Sequence, residues 1–265
     1  AKYRERAERL RHSASTKLWD GDKGLFSDAL INGKKSALFS EHGNAMALSQ
    51  RLADSLQAEK IAKQLITSEH NYIRNGSGIT MATPAMSYFL YKGLCEYGYI
   101  DEAFQMFRDR FDRMLQPNTN TTLWEEWWLD GTGRSGKLQK TSRSDAQTES
   151  AFPPALFAEY LLGIKPLRPG MKEVEIVKTK SSINQIEATL PSPEGDLFVK
   201  WDVDTEGTKS LQLRIPGEMK VKLNLESLGS KLGQTIWVDG LKLTSEQIIS
   251  KYLSLSSGSH NIIFQ

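Results

Sequence analysis

The sequence predicts an α + β chain of two parts, a helical part over residues 1–165 and an antiparallel β-sandwich over residues 166–265. Three observations predict it. Apolar residues recur at helical spacing up to about residue 164. Alternation with a period of two replaces that spacing beyond Gly170. Between them, Ile164-Lys165-Pro166-Leu167-Arg168-Pro169-Gly170 reads as a linker that ends the helical pattern. A chain of 265 residues can hold one large domain or two ordinary ones.

The elements follow in order. The start, from Ala1 to Asp20, is charged and helical; it resembles the middle of a helix, as expected of a piece of something longer, and carries no signal-peptide pattern. Leu48, Leu52 and Leu56 fall on one stripe of a helix that begins near Asn44. Thr83 before Pro84 marks a helix start, with Met86, Phe89, Leu90 and Leu94 along the helix and a stop near Gly98. The next helix opens at Asp101 and sets Phe104, Phe107, Phe111 and Leu115 on one face, with the Asp-Arg pairs of 108–113 on a solvated face. Ser144 with Gln147 has capping-box spacing, and Pro153-Pro154 interrupts the helix that leads to Leu162. Strands are expected at 174–177, 197–201, 211–215 and 221–225, separated by turns such as Pro216-Gly217, Asp239-Gly240 and Ser257-Gly258. Trp201 and Trp237 are assigned to the sandwich core, and the lone Cys95 to a buried structural thiol.

Composition narrows the function. Hydrophobic residues make up 39% and charged residues 25%, the balance of a globular protein. A net charge of +2, evenly spread, argues against nucleic acid as a partner, and no apolar run approaches the roughly 20 residues that cross a bilayer. The four histidines show no metal-ligand spacing, and there is no nucleophile elbow, phosphate loop or dinucleotide fingerprint, so neither a metal nor a cofactor is expected. Carbohydrate chemistry is the enzymatic reading with positive support. Its carrier is Thr121-Thr122-Leu123-Trp124-Glu125-Glu126-Trp127-Trp128, two adjacent carboxylates among three of the chain's six tryptophans. Aromatic faces strip water from a carboxylate and raise its pKa toward the range useful in proton transfer, while indoles offer rigid area to the C–H faces of sugars. The plainer alternative is an aromatic helix end with solvated acids.

Four stretches in order carry a family resemblance. Phe39-Ser40-Glu41-His42-Gly43-Asn44-Ala45-Met46-Ala47-Leu48 is similar to an S-[EQ]-H-A-N-A-x-A-L helix start. Ala82-Thr83-Pro84 through Gly98 is similar to T-P-x-x-x-x-Y-x-L-x-A-L-x-x-x-G, and Thr121 to Trp127 to T-T-x-W-E-x-W. Ser142-Arg143-Ser144-Asp145 through Leu162-Gly163-Ile164-Lys165-Pro166 is similar to R-S-D-C-H-A-W…P…L-G-I-R-P. Together they resemble the bacterial and fungal α-L-rhamnosidases of glycoside hydrolase family 78.

The resemblance implies a six-hairpin (α/α)6 barrel, of which this chain would supply roughly the C-terminal half, followed by the sandwich. It implies an inverting mechanism, in which an acid protonates the glycosidic oxygen and a carboxylate roughly 6.5–9.5 Å away activates water. Glu125 falls on the general-base position, and Glu126 on the variable position beside it, as a solvated or salt-bridged neighbour. The general acid of an R-D-E-R-like motif has no counterpart here, so the remaining N-terminal part of the same protein would supply it and the chain alone would be inactive. Trp124, Trp127 and Trp128 would wall the sugar subsite, with Asp145 and His42 as further substrate contacts, although His42 also suits a purely structural role. Gln147 and Glu149 stand where the family has His and Trp; they would contact a changed hydroxyl pattern, or merely cap a helix and face solvent. Asp28 is a sugar ligand or a turn cap, with the cap as default. The readings that remain are therefore a hydrolase of rhamnosyl or related residues, a carbohydrate-binding or structural relative with a degenerate site, and a six-hairpin glycosidase for another sugar. For a uronic acid, Arg143 would be the local candidate.

Overall fold

The computed structural model describes residues 2–116, 122–127, 147–229 and 235–264. The chain divides into two compact units, Ala1–Pro153 and Pro154–Gln265.

The first unit opens with helix α1 (Lys2–Leu18), which has no buried side chain. Two short hairpins follow, β1 (Trp19–Asp20) with β2 (Leu25–Phe26) and β3 (Leu30–Ile31) with β4 (Lys34–Lys35). Asn32 and Gly33 turn the second with φ of 51° and 78°, the left-handed pair that a two-residue hairpin requires. Helix α2 (Glu41–Ser49) begins where Ser40 caps it, its hydroxyl accepting from Gly43 N. Asp28 accepts in turn from Ser40 N and Oγ at 3.1 and 2.7 Å, so it steadies the capping residue of α2 instead of capping its own turn.

The continuous stripe Leu48, Leu52, Leu56 is corrected. Helix α2 stops at Ser49, and α3 (Ser55–Leu65) starts afresh on a capping box. Asp54 accepts from Gln57 N at 2.8 Å while Gln57 accepts from Asp54 N at 3.1 Å, and this local closure leaves Leu56 exposed. Helix α4 (Ser87–Glu96) starts three residues beyond Pro84, with Ser87 N donating to Thr83 O at 2.9 Å, and ends just before Gly98 as expected. Helix α5 (Ile100–Phe111) buries Phe104 and Phe111. Leu115, expected on that face, is exposed, because a 3-10 turn over Asp112–Leu115 rotates the chain and sends Met114 inward instead. Gly93 lets α4 approach α2: a Cβ there would lie 2.7 Å from Leu48 Cβ. Cys95 on the same helix is buried.

The Asp-Arg run is corrected as well. Arg108 and Asp109 face solvent, but Arg110 is 1% exposed and pairs with Glu41, which is 0% exposed. The pair is bidentate, with Arg110 Nη1 donating to Glu41 Oε2 at 2.9 Å and Nη2 to Oε1 at 2.8 Å. Both charges lie on apolar stripes, Glu41 with Asn44, Ala45 and Leu48, and Arg110 with Ala103 and Phe111. Neither could remain buried without the other.

The second unit begins with Pro154 inside helix α6 (Pro153–Leu156), the restart expected at the proline pair, which runs on into a π-turn over Phe157–Leu161. Its strands are β5 (Ile164–Pro166), β6 (Glu173–Ile176), β7 (Gln185–Leu190), β8 (Leu197–Val203), β9 (Lys209–Ile215), β10 (Lys220–Asn224), β11 (Ile236–Val238), β12 (Leu241–Lys242), β13 (Tyr252–Leu255) and β14 (Gly258–Phe264). Part of the expected linker is thus strand β5. One sheet has the order β13-β10-β6-β5 and the other β12-β11-β14-β9-β8-β7. The antiparallel expectation holds for every described pair except β6 and β10, which run parallel with Val174 opposite Val221. Between those two strands the chain builds β7, β8 and β9 of the other sheet, the long crossover that a parallel pair needs.

Inward residues of both sheets, among them Val174, Ile176, Val221, Leu223, Val199, Leu211, Leu213 and Ile262, form one apolar core. Trp201 belongs to it, and its indole N–H donates to Leu162 O at 2.9 Å. Trp237 does not: it is 41% exposed, because alternation along β11 sends its neighbour Ile236 inward. Asp239 and Gly240 turn β11 into β12 with φ of 51° and 82°, as the sequence leads one to expect. Gly163 takes φ of 76°, and a Cβ there would lie 1.8 Å from Val177 O, so only glycine fits between the π-turn and β5.

Two stability predictions follow from these contacts. Gly163→Ala is expected to lower the urea unfolding free energy by more than the roughly 1–2 kcal/mol of a left-handed alanine, because the new methyl also meets a carbonyl. Gly207→Ala, at φ of 84° with nothing within 4 Å, measures the conformational part alone and should cost less. Glu41→Gln and Arg110→Met, made singly, are each expected to cost about 3–5 kcal/mol. The pair replaced together by leucine and methionine should cost less than the two single losses added, as equilibrium unfolding will show.

Candidate active site

The candidate site is built on the loop Thr122–Trp127, placed against α5. Trp127 is fixed three ways. Its indole Nε1 donates to Ala82 O at 2.6 Å, its carbonyl accepts from Arg113 Nη1 at 3.0 Å, and its ring meets Phe111 edge-on at 5.0 Å. Arg113 itself sits 4.3 Å over the ring of Tyr72. The other end of the loop is held by the turn Thr148–Ser150. Gln147 N donates to Leu123 O at 2.7 Å, and Ser150 Oγ to Trp124 O at 2.9 Å. Three carbonyls of the loop are thereby held in place.

The side chains sort accordingly. Trp124 and Trp127 are 1% and 0% exposed, so the open subsite wall expected of them is not what the described residues form. A sugar stacks only on an open indole face; here both indoles anchor the loop in the interior. Glu126 is 1% exposed, so of the two alternatives expected there, solvated or salt-bridged, the solvated one does not hold. Glu125 alone of the two carboxylates is part-exposed. Gln147 is half-buried beside the loop, and Glu149 is exposed with Oε2 accepting from Thr148 Oγ1 at 3.2 Å. His42 is half-buried in the first turn of α2, next in the chain to Glu41. Trp128 and Asp145 lie outside the described residues, as do Thr121, Arg143 and Ser144.

Beneath the loop lies the buried ion pair. Ala82, whose carbonyl receives the Trp127 indole, donates its own N–H to Glu41 Oε2 at 2.9 Å. Asn75 Nδ2 donates to Glu41 Oε1 at 3.1 Å and to Gln64 O at 3.1 Å. The Glu41 carboxylate thus accepts four hydrogen bonds, two of them from a guanidinium. Burial opposes the charge on Arg110, but the facing Glu41 carboxylate and Tyr91 together outweigh it and hold the guanidinium pKa above its ordinary value. The same burial pushes the nearby Tyr91 phenol up. Burial, reinforced by Arg110, pulls the His70 imidazole down, which keeps it neutral near neutral pH.

Reading the sequence passed over Glu41, Asn75, Arg110 and Arg113. A signal for two of them was present: an acid and a base each placed on an apolar helical stripe demand a partner when buried. Asn75 and the main chain of Ala82 leave no such trace. Among the described residues, no group of three or more His, Cys, Asp or Glu side chains is placed to hold a metal, and no helix is long and apolar enough to cross a membrane.

Comparison with known proteins bears on this arrangement. Residues 163–235 match the family model of the bacterial alpha-L-rhamnosidase C-terminal domain. The chain is 26% identical over 151 residues to an alpha-L-rhamnosidase of Alteromonas sp. (strain LOR), covering 54% of this chain and 15% of that protein. It resembles the solved alpha-L-rhamnosidase of Dictyoglumus thermophilum with a TM-score of 0.69 at 18% identity, over 100% of this chain and 29% of that one. It also resembles the GH78 family rhamnosidase of Bacillus sp. GL1 with a TM-score of 0.63 at 24% identity, over 76% of this chain and 20% of that one. At these identities the structural likeness is one of fold, and the chain spans less than a third of the length of each of these relatives. The resemblance read from the sequence is therefore met by the family model, the related sequence and the fold alike: the chain is similar to α-L-rhamnosidases, and residues 163–235 match the C-terminal domain of the bacterial ones.

Proposed function

We propose that the chain is the C-terminal part of an inverting glycoside hydrolase that removes terminal α-L-rhamnosyl or closely related residues from glycans or glycosides. The helices of the first unit are read as part of an (α/α)6 barrel, and the two sheets of the second as a β-sandwich. The packing of α2 on α4 and the short connections from α2 to α3 and from α4 to α5 support the first reading, and the single core shared by two sheets supports the second.

The observation that carries the function is the loop itself. Within a stretch that matches T-T-x-W-E-x-W, three carbonyls and the Trp127 indole are tied down, the Trp124 indole is buried, and Glu125 is the carboxylate left accessible. A general base needs such a mounting, because it must meet one water on one face of the sugar at fixed distance and angle. In this mechanism Glu125 takes a proton from the attacking water as the glycosidic bond breaks, and a carboxylic acid elsewhere in the full-length protein protonates the leaving oxygen. The chain alone then holds one member of the pair and is inactive. Gln147 and Glu149 flank the loop and are assigned to hydroxyl recognition, where they replace an imidazole and an indole. Trp128, His42 and Asp145 complete the proposed substrate contacts. The anchoring of Trp124 and Trp127 gives them a supporting role beneath the sugar.

The test is hydrolysis of p-nitrophenyl α-L-rhamnoside by the full-length protein, beside other aryl glycosides. Turnover of the rhamnoside is expected, and Glu125→Gln should reduce kcat by about 10²–10⁴-fold with binding nearly intact. Turnover confined to another sugar would make Gln147 and Glu149 the determinants of specificity. No turnover across the panel by folded protein would favour a carbohydrate-binding relative.

A further inference from the structure

We infer that Glu41 and Arg110 are positioning residues for Glu125, acting through Ala82 and Trp127; the inference rests on the reading of Glu125 as the general base. The path is short and fully described. Arg110 grips Glu41 through two hydrogen bonds, Glu41 Oε2 accepts from Ala82 N, and Ala82 O accepts from the indole of Trp127, two residues from Glu125. Arg113, one turn beyond Arg110, holds the carbonyl of the same tryptophan at 3.0 Å. A segment without regular secondary structure has no ladder to fix its height, so the indole and carbonyl of Trp127 set where Glu125 projects.

The ion pair suits that task for a physical reason. A hydrogen bond to an exposed carbonyl can exchange with water and drift. Ala82 is instead wedged between a buried carboxylate and a buried indole, and turning Glu41 away from it would leave an uncompensated charge in the interior. Asn75 donates to the other oxygen of Glu41 and so adds to the bonds that hold the carboxylate in this orientation. The chemistry amplifies any slack, since a displacement of about 1 Å from attack geometry can cost about 10²-fold in rate.

The experiment measures kcat and KM of the full-length protein on the aryl rhamnoside for Glu41→Gln, Trp127→Phe, the double variant and Glu125→Gln, each well below its own unfolding temperature. Trp127→Phe keeps an aromatic ring but deletes the indole donor, and so remains informative if Glu41→Gln fails to fold. Both single variants are expected to lose about 10-fold or more in kcat with KM within about twofold, as for a group that acts only at the transition state. The double variant should lose no more than the worse single, since both cut one path. Unchanged kcat in folded Glu41→Gln or Trp127→Phe, or losses that multiply, would overturn the inference while rhamnoside turnover and an inert Glu125→Gln uphold the hydrolase reading. A wild type inert on every glycoside would overturn that reading, and the inference, which rests on it, would fall with it.

Discussion

The first unit depends on one buried interaction, the bidentate pair of Glu41 and Arg110. Two charges removed from water destabilise a fold unless each finds full compensation. Here the carboxylate accepts from the guanidinium, from Asn75 and from the main chain of Ala82. The pair thereby joins α2, α5 and the segment from 75 to 82, which are far apart in the chain. Apolar packing between the same elements would be non-directional. The ion pair adds direction, because a fork of two parallel hydrogen bonds has one good geometry. What hangs from it inherits that geometry, first Ala82 and then Trp127.

This arrangement changes the meaning of the tryptophan cluster. Three indoles beside two carboxylates suggest a sugar platform. The described part of the cluster points inward, with Trp124 and Trp127 in the interior and Glu126 buried beside them. One acid of the two, Glu125, keeps access to solvent. The two described indoles pack the loop that carries Glu125 into the interior, an arrangement that needs burial where sugar stacking needs exposure.

The second unit is held by a simpler constraint, alternation along strands that share one apolar core. Two details set its geometry. Gly163 lets the chain pass within reach of Val177 O where any side chain would collide, and Trp201 reaches back to the carbonyl of Leu162. The short stretch before β5 is therefore pinned from both sides. The matched C-terminal domain of the family begins at residue 163, the position of this glycine.

Much of this was legible in the sequence. The change from helix to strand around Gly163, the restart at the proline pair and the turn at Asp239-Gly240 all depend on neighbours a few residues apart, and local sterics or periodicity reveal them. Helix breaks were harder: the Asp54 capping box ended a leucine stripe that periodicity alone would have continued. Trp237 shows the same limit, since alternation assigns residues to two faces without saying which face is covered. What only the tertiary structure decided is the partnership of Glu41 with Arg110, the parallel pairing of β6 with β10, and the choice of Glu125 over Glu126 as the accessible acid. Each depends on groups distant in sequence meeting at hydrogen-bond range. No local pattern encodes that meeting, although a charge on each of two apolar stripes declares that some partner must exist.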